Sequence, residues 1–414
     1  VDVQRHRRRA QEARSQALLE TAEALGLQAV ATNGVRHARP EGRALLDALT
    51  CIREKRTLAS AGRLLSANAE RHLKPPRQMA ALFADRPDLL RRADELAERL
   101  QFTLQDLGYR FPEYPLPPGE TPASYLRQIT WQGAAQRYRP LHEKARRQLE
   151  RELHLIEKLE LAGYFLIVWD IVRFCRRERI LAQGRGSAAN SAVCYSLGIT
   201  AVDPVGMELL FERFLSEERG EWPDIDLDLP SGERRERVIQ HVYRRYGERG
   251  AAMTANVVTY REKSAARELG KVFELPLPEV ERLSRHLRRF EYVDPGDDLS
   301  RRLQEAGCVG GDRRVEHFAR LMHEIQDLPR HLGQHSGGMV VAQGALDGVV
   351  PLEPASMPGR VIIQWDKEDC ADLGIVKVDL LGLGMMSALQ DSLALLEQQG
   401  TPLDLAHLPQ DDPK

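Results

Sequence analysis

The chain has 414 residues, of which 42% are hydrophobic and 29% are charged, and its formal net charge is −2. This composition is typical of a globular protein with two or three domains. No run approaches the roughly 18 apolar residues of a membrane-spanning helix, and the first residues lack the apolar core of a signal peptide. The five cysteines form no C-x-x-C pair, which argues against a zinc ribbon or a disulfide framework and favours a cytoplasmic location.

The N-terminal quarter of the chain predicts mainly helices. Apolar residues recur at helical spacing in 1–30 and again in 44–110, where polar turns separate the helices. A short buried strand that ends in a Gly turn is expected at "LQAVATNGVRHA" (27–38). The Pro- and Gly-rich stretch 109–124 is the best candidate for a linker between domains.

The rest of the chain alternates between helical and strand-like blocks. Long helices are predicted for 122–180, and a strand, a Gly turn and a helix for 180–200. "WPDIDLDL" (222–229) predicts a strand, and an amphipathic helix follows it. Strand-rich blocks at 180–257 and 336–385 flank an Arg-rich helical block at 258–333, so the sequence predicts an α/β domain interrupted by a helical insertion.

Three aspartates occupy alternate positions, Asp224, Asp226 and Asp228, and should project from one face of the predicted strand. Three like charges within ~13 Å repel one another, and a divalent cation would remove that cost. Carboxylate oxygens suit Mg²⁺, which also takes phosphate oxygens as ligands. The alternative interpretation is a solvated strand face that binds no metal.

Two further segments bear on the metal hypothesis. In "GRGSAANS" (184–191) a Gly-rich turn opens a predicted helix and suits a phosphate, because Gly186 allows close approach and the Ser187 hydroxyl can donate. Asp379 interrupts an apolar strand and needs a partner, since a lone buried carboxylate is costly. That partner is either Lys377, two positions earlier on the same face, or a metal ion that Asp379 shares with the other acids.

Several segments stand out along the chain: "YFLIVWDIVRFCRRERILAQGRGSAANSAVCYSLGIT", "LLFERFL", "PDIDLDL", "RRERVIQHVYRRYG", "HLGQHSGGMVV", "VIIQWDKEDC" and "VKVDLLGL". Together, and in this order, they resemble the C-family bacterial replicative DNA polymerases, the α-subunit of DNA polymerase III. The resemblance runs from about residue 20 to 395. Several details resemble the error-prone paralogue of the ImuC type more closely than the main replicase. These are "VYRRYG", "RHLGQHSGGM", "QWDKEDC" and "VKVDLLGLGMM".

The resemblance implies a fold in which a polymerase-β-like nucleotidyltransferase palm is split by a helical thumb insertion and preceded by the remnant of a PHP domain. The implied boundaries are 1–70 for the PHP remnant, 71–111 for a helical connector, 112–257 and 334–385 for the palm, 258–333 for the thumb and 386–414 for the start of the fingers. The chain is then expected to be a fragment, without most of the PHP domain and without the clamp-binding and oligonucleotide-binding domains.

The resemblance also implies that the PHP remnant holds no metal. The last PHP metal motif of the family carries Asp and His in a stretch like "ATNDVHY", and this chain has "ATNGVRHA" there. Gly34 and Arg36 therefore replace the two ligands, and His37 is out of register. We expect no proofreading from this segment, which weakens the alternative that the protein is a phosphoesterase.

For the activity, the resemblance implies a DNA-directed DNA polymerase that joins a dNTP to a primer 3′-hydroxyl with two Mg²⁺ ions, in error-prone translesion synthesis during DNA-damage repair. The implied catalytic and metal-binding residues are Asp224, Asp226 and Asp379. Asp228 is left open, because some branches of the family lack an acid there. The implied nucleotide-binding residues are Gly186, Ser187, Arg213 and Lys377. For Arg213, an ordinary salt bridge with Glu212 or Glu217 is the alternative.

The implied partners are primer-template DNA and dNTPs. Four arginines on one predicted thumb helix suit contacts with DNA phosphates, although a solvated helix face would have the same pattern. They are Arg282, Arg285, Arg288 and Arg289. A sliding clamp and a Y-family-like accessory protein are expected to bind through regions outside this chain. The alternatives are a replicative α-subunit and a non-catalytic DNA-binding protein.

Overall fold

The computed structural model describes residues 1–105, 107–216, 222–286, 313–403 and 405. The chain folds as two units, and each contains two segments of the sequence. The first unit comprises Val1–Thr103 and Val258–His331, and the second comprises Leu104–Val257 and Leu332–Lys414. None of the helices in the described part of the chain has both the length and the apolar character that a membrane span needs.

The N-terminal segment of the first unit combines two short strands with helices. The strands β1 (Asp2–Gln4) and β2 (Val30–Thr32) pair in parallel, so the prediction of helix from residue 1 was wrong at β1. A strand of three residues carries no readable periodicity, which is why the sequence gave no sign of it. The helices of this segment are α1 (Arg9–Ala24), α2 (Arg43–Glu54), α3 (Leu58–Ala61), α4 (Pro76–Leu82) and α5 (Pro87–Arg99).

The helices of the second unit form where the sequence predicts them. Thr121 begins the first with a reciprocal capping box to Ser124, and α8 buries a nearly continuous apolar surface from Ala162 to Cys175. Glycine allows the close contact between the helix that contains Gly133 and the helix that contains Ser196, because a Cβ at Gly133 would lie 2.0 Å from the carbonyl oxygen of Ser196. These helices are α6 (Pro122–Arg137), α7 (Glu143–Lys158), α8 (Ala162–Arg177), α9 (Ala192–Leu197) and α10 (Glu233–Tyr246).

A seven-stranded mixed sheet has the order β3-β4-β9-β6-β5-β8-β7. The adjacent strands β4 and β9 are parallel, whereas β3 and β6 run antiparallel to their neighbours β4 and β9. Ile225, Leu227 and Leu229 are completely buried in the main core of the unit, so the opposite side-chain positions face outward from that core. The strands are β3 (Gln183–Arg185), β4 (Asp226–Pro230), β5 (Ala251–Thr259), β6 (Pro329–Val341), β7 (Leu352–Pro354), β8 (Val361–Ile363) and β9 (Lys377–Leu383).

The segment between β5 and β6 is helical and packs on the N-terminal segment within the first unit. Its helices are α11 (Glu262–Val272), α12 (Leu277–His286) and α13 (Arg313–Glu324). Leu269, Phe273 and Phe318 form one buried cluster with Ala48 and Cys51 of α2. After β6 come α14 (Lys367–Asp372) and α15 (Gly384–Gln398), and the mixed α/β class that the sequence predicts is confirmed.

Three predicted boundaries differ from the structure. The strand β4 begins at Asp226 and not at Trp222, because Pro223 has no N–H to donate and the Ile225 N–H donates to the Tyr164 hydroxyl. The Gly turn opens a 3₁₀ turn, Gly186–Asn190, and the α-helix begins only at Ala192. The segment 258–333 is not helical throughout, because β5 extends to Thr259 and β6 begins at Pro329.

Candidate functional site

Three carboxylates converge beside the parallel strand pair β4 and β9. Asp226 of β4 lies opposite Asp379 of β9 in the parallel register, and Asp224 lies just before β4. One ligand oxygen from each of Asp224, Asp226 and Asp379 lies within 4.8 Å of the others. Among the residues that the structure describes, this is the only group of three or more side chains placed to share a metal ion. We call it the acidic cluster.

The strand β6 approaches the acidic cluster through a glycine. Gly338 lies opposite Asp379, and a Cβ at Gly338 would be 2.3 Å from Thr254 Oγ1 and 3.1 Å from Asp379 Oδ1. The His335 Nδ1 accepts the backbone N–H of Gly338 at 2.6 Å and lies 3.8 Å from Asp379 Oδ1. The glycine therefore allows the backbone and the His335 ring to pack beside the buried Asp379.

Lys377 neutralises part of the charge of the acidic cluster. Its Nζ donates to Asp224 Oδ1 at 2.9 Å and to Asp379 Oδ2 at 2.5 Å, so the Lys377–Asp379 pair, one of the two alternatives for Asp379, forms. The pKa of Lys377 is raised, because burial, which acts to lower it, is outweighed by Asp379 and Asp224. Burial, helped by Asp224 and Asp379, raises the pKa of Asp226 to about 6. The other oxygen of Asp379, Oδ1, is buried without a hydrogen-bond partner.

Asp228 pairs with an arginine and is not one of the three acids of the acidic cluster. Its Oδ1 lies 3.1 Å from Arg185 Nε, which is 3.7 Å from Asp226 Oδ2, and Asp228 is outside the acidic cluster. Burial raises the pKa of Asp228, and Arg185 acts in the opposite direction. The antiparallel register of β3 and β4 places Arg185 opposite Asp226, next to both carboxylates.

The Gly-Ser turn directly follows Arg185. Gly186 has a φ of +67°, and no atom lies within 4 Å of the position that a Cβ would take there. Ser187 is half-buried. The helix N-terminus that the sequence associates with this turn is elsewhere, because α9 begins at Ala192 and a buried carboxylate already occupies its first turn. The helix dipole therefore gives no support to a phosphate site at Gly186, and that site stays a prediction.

That carboxylate belongs to Glu152 of α7, which is completely buried. It accepts the Ser191 hydroxyl at 2.7 Å and the backbone N–H groups of Ala192 and Val193 at 2.9 and 3.0 Å. Burial raises the pKa of Glu152, although these hydrogen bonds act to lower it. Glu152 thus fixes the start of the helix that follows the Gly-Ser turn.

The remaining predicted residues lie in three places. Arg213 is exposed on a short 3₁₀ turn, Phe211–Arg213, which contacts the Gly186–Asn190 turn. Glu212 pairs with Arg151, and Glu217 lies outside the described residues. Arg282 and Arg285 are exposed on α12 in the first unit, and Arg288 and Arg289 lie outside the described residues.

In the N-terminal segment, Gly34 has a φ of +51°, and a Cβ there would lie 2.5 Å from Gln4 Oε1. His37 Nδ1 contacts the carbonyl oxygen of Arg39 at 2.7 Å. Arg36 lies beside Gly34, and its backbone N–H donates to the carbonyl oxygen of Arg71. The absence of a metal site in this segment stays a prediction.

Sequence reasoning missed four residues at or next to the site. Arg185, His335 and Lys367 contact the acids, with Lys367 Nζ 3.5 Å from Asp224 Oδ2. The contacts of Arg185 and His335 depend on strand register and that of Lys367 on the packing of α14, neither of which the sequence shows. Glu152 had a readable signal, because it is a charged residue on the apolar face of α7 beside the buried Leu149 and Leu153.

The acidic cluster lies within the part of the chain that matches a known protein family. The model of the family "Bacterial DNA polymerase III alpha NTPase domain" matches residues 124–382. An error-prone DNA polymerase of Alkalilimnicola ehrlichii is 46% identical over 406 residues, which are 97% of this chain and 39% of that protein. Error-prone DNA polymerases of Bradyrhizobium diazoefficiens and Aromatoleum aromaticum are 45% and 46% identical, over 94% and 97% of this chain.

These two matches cover 34% and 38% of the relatives, so the chain spans less than two fifths of the length of the relatives it matches. The family match includes the Gly-Ser turn and all three acids of the acidic cluster. The chain therefore belongs to the family of the bacterial DNA polymerase III alpha NTPase domain.

Proposed function

We propose that the chain carries the catalytic palm of a DNA-directed DNA polymerase of the error-prone class, and that the acidic cluster is its metal-binding centre. The observation that carries this proposal is the convergence of Asp224, Asp226 and Asp379 within 4.8 Å, inside the segment that matches the family. The relatives' names support the error-prone class over the main replicase. An intact acidic cluster also favours polymerisation over the phosphoesterase and non-catalytic alternatives.

The acidic cluster fits Mg²⁺. All its ligand atoms are carboxylate oxygens, which Mg²⁺ prefers. The buried Asp379 Oδ1 accepts no hydrogen bond and is therefore available to bind a cation. The raised pKa of Asp226 is the expected result of burial, together with the neighbouring acids, where a cation is to bind. Two Mg²⁺ ions bound here would activate the primer 3′-hydroxyl and stabilise the charge of the leaving pyrophosphate.

The protein's own residues then supply positioning and charge. Asp224, Asp226 and Asp379 hold the cations, and Lys377 adds a fixed positive charge where the triphosphate would bind. Ser187 and the open backbone at Gly186 offer donors and close approach to phosphate oxygens beside β4. Arg213, on the neighbouring turn, offers a second cation.

The proposed organisation of the chain is a palm with a thumb inserted into it. The sheet with its flanking helices, in 112–257 and 334–385, would be the palm, and the helical segment 258–333 would be the thumb. Residues 1–70 would be the PHP remnant, 71–111 a connector and 386–414 the start of the fingers. Primer-template DNA and dNTPs would be the substrates, with a sliding clamp and a Y-family-like accessory protein as partners of the longer protein.

The test compares metal binding with primer extension. Mn²⁺ binding by the chain, as a spectroscopic probe of the Mg²⁺ site, should be lost in Asp226→Ala and retained in Asp391→Asn. Asp391 is a matched control because it is an exposed acid that pairs with Arg234 on α10. Mg²⁺-dependent primer extension by the longer protein should fall by about 10³-fold in Asp226→Ala, which corresponds to roughly 4 kcal/mol of barrier.

Loss of extension with duplex binding retained would support the assignment. Extension that survives in Asp226→Ala would contradict it, and so would Mn²⁺ binding that is equal in both variants. The variant Asp228→Asn tests whether the third aspartate of the strand also binds the metal. Asp228 pairs with Arg185 and lies outside the acidic cluster, so this variant should retain Mn²⁺ binding.

A further inference from the structure

The pairing of β6 with β9 ends next to the acidic cluster. It runs from Val340, opposite Lys377, to Gly338, opposite Asp379. Gly337 and Gly338 are buried, and buried backbone N–H groups in folded proteins are nearly always paired. At this end of the pairing, the acceptor of both N–H groups is a side chain of β6 itself.

That acceptor is the ring of His335. Its Nδ1 accepts the N–H of Gly337 at 3.2 Å and the N–H of Gly338 at 2.6 Å. A ring nitrogen that accepts a hydrogen bond carries no proton, so the proton of the neutral imidazole is on Nε2. His335 Nδ1 lies 3.8 Å from Asp379 Oδ1, but without a proton it cannot donate to that carboxylate. His335 therefore holds the backbone beside the acidic cluster and adds no positive charge to it.

Two further side chains hold the backbone of the same two strands. Thr254 is 1% exposed, and its Oγ1 donates to the carbonyl oxygen of Gly338 at 3.3 Å. Arg235 of α10 donates through Nε to the carbonyl oxygen of Leu380 at 2.7 Å and through a second nitrogen to that of Ser336. Because Leu380 directly follows the acid of β9, Arg235 joins β9 and β6 beside that acid.

The backbone that these side chains hold lies directly against Asp379. A Cβ at Gly338 would be 3.1 Å from Asp379 Oδ1. Asp379 is 5% exposed, and Lys377 donates to its other oxygen. Since buried groups are closely packed, a displacement of β6 at Gly338 would also displace the carboxylate.

We propose that His335 is a positioning residue of the acidic cluster, which holds Gly337 and Gly338 against Asp379 in the position that a bound cation needs. Mg²⁺ demands near-octahedral geometry at about 2.0–2.1 Å, so a small displacement of one carboxylate weakens its binding. Groups that orient metal ligands typically change metal affinity by about 10–100-fold. This inference rests on the proposed metal centre, and it assigns His335 no contact with the cation or the substrate.

Two substitutions of His335 separate its acceptor atom from its bulk. Asn retains an acceptor oxygen that can reach N–H groups two or three residues later, whereas Phe retains a ring without an acceptor. His331→Phe is the matched control, because His331 is an exposed histidine of the same strand. Mn²⁺ binding by the chain is measured for all three variants, and urea unfolding checks that each is folded.

We expect His335→Phe to weaken Mn²⁺ binding by about tenfold, and His335→Asn and His331→Phe to bind as the wild type does. In primer extension by the longer protein, His335→Phe should need more Mg²⁺ for the half-maximal rate, and excess Mg²⁺ should restore that rate. Excess Mg²⁺ should not restore Asp226→Ala, which lacks a ligand. Equal Mn²⁺ affinity of His335→Phe and the wild type overturns the inference, as does equal weakening in the Phe and Asn variants.

A second measurement needs no metal. In EDTA, amide hydrogen exchange at Gly338 should be slow in the wild type and in His335→Asn but faster in His335→Phe, whereas exchange at Val340 should be equal in all three. The imidazole ¹⁵N spectrum of the wild type should show the proton of His335 on Nε2. A proton on Nδ1 would overturn the inference even if neither variant folded.

Asp226→Ala distinguishes failure of this inference from failure of the metal centre. If Asp226→Ala loses Mn²⁺ binding while His335→Phe retains it, the acidic cluster binds metal and His335 does not position it. If Asp226→Ala retains Mn²⁺ binding, the assignment of the metal centre is wrong and the inference falls with it, whatever hydrogen exchange shows.

Discussion

At the scale of single residues, Asp226 is in an environment that disfavours its own charge. It is half-buried and lies beside two other carboxylates, with Lys377 as the cation that acts in the opposite direction on its pKa. Without a bound metal, the ionised cluster therefore reduces the free energy of unfolding. Acids grouped at such a cost are characteristic of functional sites, where stability is lost for the sake of ligand binding.

Replacing Asp226 by Asn should therefore stabilise the metal-free chain at neutral pH. The pKa of this acid is raised from 3.8 to about 6, so the cost of its charge is fully present above pH 6 and vanishes as pH falls below about 4. We expect Asp226→Asn to raise the free energy of unfolding by about 1–2 kcal/mol at pH 7.5. Urea unfolding in EDTA at pH 7.5 and at pH 4 measures this difference.

The control for this prediction is Asp391→Asn, which changes an exposed acid and should alter stability by less than about 0.5 kcal/mol at either pH. Mg²⁺ should stabilise the wild type and leave Asp226→Asn unaffected, because only the wild type has the intact cluster. A less stable Asp226→Asn at pH 7.5 would show that its contact with Arg185 outweighs the repulsion within the cluster.

The sequence predicted which aspartates share a face of β4, but it did not predict which side chains each aspartate contacts. Alternation placed Asp226 and Asp228 on one side of β4, and the structure agrees. It could not show that Arg185 pairs with Asp228, because that contact depends on the register of β3 against β4. Glu152 was predictable in principle, since a charged residue within an apolar stripe requires buried donors.

At the scale of elements, the long helices were predictable and the shortest strands were not. The helices α6, α7 and α8 each have 16 residues, enough to show their apolar spacing several times over. The start of β6 at Pro329 was predicted as helix, because its exposed first residues carry no alternating apolar pattern. Sheet order and the contact of α6 with α9 depend on long-range packing, which the periodicity of one segment does not encode.

The close contact of α6 with α9 allows a prediction about stability at this scale. Gly133→Ala should lower the free energy of unfolding by about 1–3 kcal/mol, because its Cβ would lie 2.0 Å from the backbone oxygen of Ser196. Gly163→Ala in α8 is the matched control, since nothing lies within 4 Å of its Cβ. The control should be neutral or stabilising by up to about 1 kcal/mol, because alanine favours the helix.

Thermal and urea unfolding of the two glycine variants measure this difference. Equal stability of Gly133→Ala and the wild type would mean that α6 can move away from α9 without loss.

At the scale of the whole molecule, the predicted helical insertion is present, but its packing was not foreseen. Residues Val258–His331 join Val1–Thr103 in one unit, because α11 buries Leu269 and Phe273 in a cluster that includes Ala48 and Cys51 of α2. Those partners lie about two hundred residues apart in the sequence, and apolar spacing in either helix does not identify the other. The domain boundaries themselves stay predictions.

The net charge of −2 gives no whole-molecule attraction for DNA, so binding must depend on local groups of arginines. If α12 contacts the DNA backbone, replacing both Arg282 and Arg285 by Gln should weaken duplex binding at low salt. It should also reduce the slope of log affinity against log salt concentration by about 2, since each lost phosphate contact releases about one counterion fewer. That slope is measured by the fluorescence anisotropy of a labelled primer-template duplex between about 50 and 200 mM salt.

Arg99→Gln is the matched control for this double variant, because Arg99 is an exposed arginine at the end of α5 in the same unit. A general effect of charge would change the slope by a similar amount per arginine in both proteins, whereas a local contact would change it only in the double variant. An unchanged slope in Arg282→Gln/Arg285→Gln would place the DNA contacts on other residues and leave α12 as a solvated helix. Base sequence should not matter in either case, because phosphate contacts carry no sequence information.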